Sequence, residues 1–189
     1  MAEPYFSIDY PAQVNISPLA GHEILPDTAK LEAEIPAPFK LISEVTRIDT
    51  SNARLLRNLD EHAGELVEII NQQSRKIDLV LSYVLAQEDD PSQRHTTLSL
   101  GGGGFTFCSR QALANHSVVR FKLFLPELSV AVYGYGKIEV HAREPEPIYR
   151  CTFVAIREQD RDALIRASLQ LQAKQLKARA ERRAQQDIP

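Results

Sequence analysis

A chain of 189 residues is long enough for one domain with an elaboration and a substantial core. With 22 Lys and Arg against 25 Asp and Glu, a net charge of −3 and 43% apolar residues, it reads as a globular protein and not as a general binder of nucleic acid or membrane surfaces. Two cysteines are too few for a disulfide framework, no apolar run reaches the length of a membrane span, and "MAEPYFSIDY" lacks the basic start and apolar core of a secretion signal, so a cytoplasmic protein is expected.

Residues 5–18 open with "YFSIDYPAQVNIS", in which Val14 and Ile16 alternate with polar neighbours as in a strand. Pro18, Pro26, Pro36 and Pro38 mark the stretch that follows as a loop crossing the surface. From Phe39 the period changes: Leu41, Val45 and Ile48 keep helical spacing, with Pro38 in the first turn. Asp49, Thr50 or Ser51 is expected to cap a second helix, running from Asn52 to about Asp90 and stopped by Pro91. Such a helix would be a rod of roughly 55 Å.

Written in heptads from Leu56, this helix places Leu56, Ala63, Ile70, Ile77 and Val84 at a, and Leu59, Leu66, Gln73 and Val80 at d. Eight of the nine are apolar, a coiled-coil pattern. Leu55, Val67, Ile69, Leu81 and Tyr83 widen the stripe, which points to three or four strands and favours a tetramer. Gln73 in the seam costs stability and fixes register, and Gly64 falls on the outward side. The other reading of the same pattern is an amphipathic helix laid against its own domain.

From Arg94 to Ile156 the chain reads as β. "TTLSL", "FTFCS", "VVRFKLFL", "SVAVYGYGKIEVHA" and "YRCTFVAI" are rich in β-branched and aromatic residues and are divided by Gly, Pro, Asn and Ser clusters. With the N-terminal strand this makes about six strands, enough for a small antiparallel barrel. From Glu158 the chain is helical, acidic first and basic later, which suits the helix dipole. The expected organisation is a discontinuous barrel from 1–20 and 94–157, inserted helices at 36–90 with a coiled coil at 52–90, and a C-terminal helix and tail at 158–189.

The four glycines of "TLSLGGGGF" do not make a phosphate loop. Phe105 and Thr106 stand where a Walker loop has Lys and Ser or Thr, and a strand follows where a dinucleotide fold has a helix. The local reading is a tight turn between strands. In its wider setting, "TLSLGGGGF" followed by strands, "GYGKIEV" and "YRCTFVAI" resembles the PilZ domain, a six-stranded barrel known as a bacterial cyclic di-GMP receptor. Its Asp/Asn-x-Ser-x-x-Gly hallmark falls on Thr97, Ser99 and Gly102, with Thr in place of the acidic or amide residue. Its Arg-x-x-x-Arg hallmark, aligned through "EPYFSIDYP", falls on Glu3 and Ser7. The resemblance covers 3–17 and 94–170 and is similar to an atypical subgroup that tetramerises through an inserted long helix. It implies an α+β protein whose two arginine clamps are replaced by Ser7, which offers one hydroxyl, and by Glu3, which repels a phosphate.

Other features carry no chemistry of their own. His22, His62, His95, His116 and His141 have no metal spacing. Cys108 and Cys151 read as buried strand thiols, and Glu88 to Asp90 as a solvated helix end. Asn15 and Asn115 sit in chance glycosylation sequons. The basic tail, with Lys174, Lys177, Arg179, Arg182 and Arg183, reads either as a solvated helix end or as a dock for an acidic partner. No enzyme, metal or cofactor is specified. The expectation is a self-associating signalling adaptor of the cyclic di-GMP network, with ligand binding weak or lost and a protein partner implied by the resemblance in motility or type IV pilus control. Two alternatives stand beside it: a receptor that recruits Arg94 or Arg110 as substitute clamps, and a purely structural oligomerisation module.

Overall fold

The computed structural model describes residues 7–20, 24–56, 64–142 and 146–186. The strands are β1 (Ser7–Asp9), β2 (Gln13–Pro18), β3 (Arg94–Gly101), β4 (Gly104–Cys108), β5 (Val118–Leu125), β6 (Val130–Ala142) and β7 (Ile148–Ala155). All pair antiparallel in the order β3-β2-β5-β6-β7-β4, and β4 returns to pair with β3, closing the sheet. β1 and β2 lie on the same side of β3, against residues 99–101 and 94–96 respectively, so they are one strand broken at Tyr10–Ala12. The result is the expected closed barrel of six strands.

The break has a fastening. Thr97 is fully buried; its Oγ1 accepts from the Ala12 amide at 2.8 Å and donates to the Tyr10 carbonyl at 2.7 Å. One hydroxyl thus satisfies backbone groups that the broken ladder leaves without strand partners.

Inward positions fill the barrel with Val14, Leu100, Phe105, Phe107, Val119, Phe121, Leu123 and Phe153, and Leu164 and Leu171 of the C-terminal helix join this core. Phe121 and Phe153 stack at 4.9 Å, with Phe105 edge-on to Phe121 at 5.4 Å. The end of β5 and the first half of β6 are buried on both faces, because their outer side is covered too. Phe124, Ala131, Tyr133 and Tyr135 form a second core with Leu31, Ile35, Phe39, Ile42 and Leu85 from helices.

Those helices are α1 (Thr28–Glu34), α2 (Ala37–Leu56) and α3 (Gly64–Ala86); α4 (Glu158–Gln186) ends the chain. Three expectations are corrected here. α1 lies in the stretch read as loop: the Asp27 carboxylate caps the Lys30 amide at 2.8 Å and Leu31 is buried, a seven-residue helix too short to show a period. α2 runs through Asp49, Thr50 and Ser51 instead of ending before a cap, since Asp, Thr and Ser are tolerated within a helix that tertiary packing holds. The helix expected over 52–90 is divided between the end of α2 and α3, and the two pack against each other instead of extending as one rod.

Both helices are tied to the barrel at Ser129, where Thr46 of α2 donates to the carbonyl at 2.9 Å and the hydroxyl donates to Asp78 of α3 at 2.7 Å. α4 is joined at its start. Arg157 grips Asp160 through Nε at 2.8 Å, and both bond Ser43 of α2, at 2.8 and 2.9 Å. Burial pushes the Asp160 carboxyl up while Arg157 and Ser43 oppose the shift.

Residues 88–90 are not the solvated helix end expected. Glu88 pairs with Lys122 at 2.7 Å, and Asp89 with Arg94. Buried Asn15 donates to Asp89 Oδ1 at 2.9 Å and to the Asp90 carbonyl at 3.0 Å, and accepts from the Asp90 amide at 2.9 Å. The return from α3 into the barrel is therefore latched onto β2.

Candidate functional site

Gly102 and Gly103 form the two-residue turn between β3 and β4, flanked by the Gly101–Gly104 pair. Gly104 has a φ of 157°, and a Cβ there would lie 2.1 Å from the Cys151 carbonyl oxygen. The glycine run is needed by the backbone and by the close passage of β7.

The residues of the resemblance take different places around this turn. Ser7 pairs with Gly101 at the barrel rim; Glu3 lies outside the described residues. Ser99 is half-buried and shares a hydrogen bond with Thr106 at 2.7 Å. Thr97 is occupied by the strand break, with its hydroxyl proton already given to the Tyr10 carbonyl and none left for an anion. Across the strands, Ser99 pairs with Asp9 on one side and with Thr106 on the other, and Thr106 pairs with Arg150, which pairs with Glu139. An anion approaching Ser99 thus meets a row carrying two carboxylates and one guanidinium.

Arg94 and Arg110 are far from the turn. Arg94 begins β3, seven residues before Gly101, a span of roughly 23 Å, and Arg110 follows the far end of β4 and pairs with Glu146 at 3.4 Å. A different arginine is there instead. Arg161, from the first turn of α4, donates through Nη1 to the Gly102 carbonyl at 2.6 Å and lies 3.7 Å from Glu158. Its position depends on how α4 crosses the barrel, which the sequence pattern does not encode.

The second candidate surface is on the helices. Of the proposed seam, Leu66, Gln73, Ile77 and Val80 face outward, while Ile70 and Val84 are half-buried. Leu59 lies outside the described residues, and of Leu56 only the backbone is described. Leu66, Ile69, Ile77, Val80 and Tyr83 are 47 to 71% exposed, and Leu41 and Ile48 of α2 are exposed as well. α3 therefore divides its apolar residues. Leu81 and Leu85 join the second core, as the second reading of the heptads expected, Val67, Ile70 and Val84 are half-buried, and Leu66, Ile69, Ile77, Val80 and Tyr83 are left exposed. No helix among the described residues is long and apolar enough to cross a membrane.

No family model and no curated protein matches the sequence. Seven solved chains match the structure. One is a pathogenic protein from Xanthomonas campestris, a tetrameric PilZ domain self-assembled via an unusual helical bundle: 14% identity over 92% of this chain and 91% of that one, with a TM-score of 0.56. The fold is that of a PilZ domain. Bacillus subtilis MotI/DgrA, an inhibitor of motility, aligns at 10% identity and a TM-score of 0.47; the match takes in 92% of this chain and 53% of that one, so the present chain spans about half its length. At this identity the likeness concerns the PilZ barrel with its inserted and C-terminal helices, and the site residues stand on their own geometry.

Proposed function

We propose that this chain is a non-enzymatic PilZ-type adaptor that self-associates through α3 and acts by protein contacts, with cyclic di-GMP binding weak or lost. The observation that carries the proposal is the uncovered stripe of Leu66, Ile69, Ile77, Val80 and Tyr83 on a helix whose opposite face is already packed. A stripe of that length on one helix fits a partner helix, and the tetrameric PilZ domain of similar fold supports four copies. Loss of ligand is supported by Asp9 opposite Ser99, by the commitment of Thr97 to the backbone, and by Glu3 in the sequence where the resemblance has an arginine. The adaptor would work in the cytoplasm on a clustered partner of the motility or pilus machinery, gaining avidity from its copy number.

Sedimentation equilibrium tests the assembly. The parent protein is expected as a tetramer, and Ile77→Asp with Val80→Asp as a folded monomer; a monomeric parent would end the proposal. Calorimetric titration with cyclic di-GMP tests the ligand. A second reading, a receptor that has changed its clamp, is favoured by Arg161 at the Gly102 carbonyl. It requires tight, saturable heat that Arg161→Ala abolishes, whereas the adaptor requires weak heat or none.

A further inference from the structure

A cleft of about 310 Å³ opens where the broken first strand, the end of α3 and the β5–β6 connection meet. Its apolar wall is made by Leu85 of α3 and by Phe124, Leu125 and Pro126, and Ala86 lies exposed at its lip. Tyr10 and Glu127 face each other across another side, the Tyr10 hydroxyl donating to Glu127 over a long 3.4 Å. The cleft belongs neither to the glycine turn nor to the outward stripe of α3.

Charge decides what it suits. The charged residues lining it are Asp89 and Glu127, two carboxylates with no basic side chain between them. Asp89 is already committed to Arg94 and Asn15. Glu127 is 65% exposed, with Lys174 of α4 only at the 4.0 Å limit of an ion pair, so it keeps capacity to accept from an incoming cation. The volume is at the low end for a small-molecule site and is of the order of one large side chain with part of its neighbour. We propose that the cleft receives a segment of a partner protein in which a bulky apolar side chain stands next to an arginine or lysine. The apolar group fills the slot against Leu85 and Leu125, and the cation meets Glu127. Burial supplies the affinity, and the exposed ion pair, weak by itself, selects the sequence. Because its walls come from both α3 and the broken strand, the occupant would touch the barrel and the inserted helix at once.

The test uses the full chain with labelled leucine methyls and N-acetyl-Phe-Arg-amide as probe, followed by NMR. The expected result is saturable shifts of the Leu85 and Leu125 methyls, with N-acetyl-Phe-Glu-amide and N-acetyl-Ala-Arg-amide each binding about fivefold more weakly or worse. Glu127→Gln, a change at an exposed site, should erase the preference for Arg over Glu while leaving the shifts. Ala86→Phe, with a spectrum otherwise unchanged, should remove them. Equal binding of the Phe-Glu probe, shifts centred elsewhere, or no shifts at about 10 mM probe would overturn the proposal.

Discussion

Arg161 donates to the carbonyl of Gly102 at 2.6 Å, so the first turn of α4 holds the glycine turn between β3 and β4 directly. This contact makes the turn part of the α4 interface. Replacing Arg161 with Ala leaves the Gly102 carbonyl to water and should cost about 1–2 kcal/mol, the range of one charge-assisted bond at a partly exposed site. The melting temperature, read by circular dichroism, should fall by about 2–6 °C. An unchanged melting temperature would show that α4 does not brace the turn.

Gly136 and Cys151 pair off a predicted non-additivity. A Cβ at Gly136 would lie 2.2 Å from the Cys151 sulfur, with the next contact, the Thr152 carbonyl, at 3.2 Å. Gly136→Ala alone should destabilise by about 2–3 kcal/mol through overpacking. Cys151→Ala alone opens a small cavity, and the double variant should recover at least about 1 kcal/mol of the sum. Urea unfolding of the four proteins closes the cycle; simple additivity would show that the clash is relieved elsewhere.

The Asp89–Arg94 latch predicts a pH dependence. Burial alone would raise the Asp89 carboxyl, but hydrogen bonds from Arg94, Asn15 and Gln13 prevail and hold it below its ordinary value of 3.8. A carboxyl lowered in the folded state contributes stability that is present above the ordinary value and is lost as pH falls through the lowered one. Stability should therefore decline with acid below pH 3.8 partly through this residue. Asp89→Asn should be less stable at neutral pH and lose less on acidification; parallel curves for the two proteins would remove Asp89 as a contributor.

Ser129 sits at a φ of 50° while binding both inserted helices. Glycine is at ease in that conformation, and alanine pays about 1 kcal/mol for it. Both lose the hydroxyl that reaches Asp78. Ser129→Gly should therefore be the more stable variant, reversing the usual advantage of alanine. If Ser129→Ala proves the more stable in urea titrations, the left-handed conformation is not imposed by the helices.

The barrel was legible because its strands carry period and composition together. Val119, Phe121, Leu123 and Leu125 alternate inward, and the outward Phe124 adds the apolar excess that a doubly covered strand shows. The break between β1 and β2 was hidden, since it rests on a hydroxyl 85 residues away in sequence. The helical insertion was visible as apolar periodicity, but not its division, because heptad spacing continues through positions that pack within the chain and positions that do not. Ile70 and Ile77 belong to the same seam by sequence, yet one is half-buried and the other exposed. At the glycine turn, the departures from the PilZ motif could be read from Thr97 and Ser7, whereas Arg161 could not, because its approach is set by the docking of α4.

Asn15 pairs with Arg94 across neighbouring strands and the Ser17 hydroxyl bonds Gln93, so the points at which the chain leaves β2 and re-enters at β3 lie close together. By connectivity the inserted helices are a detour, and a short hairpin link could restore the strand order without them. By surface they are indispensable, because Phe124, Tyr133 and Tyr135 on the barrel wall are shielded by Leu31, Phe39, Ile42 and Leu85. Excision would leave a continuous sheet with an oily flank, and the barrel has thereby become a tenant of its own insertion.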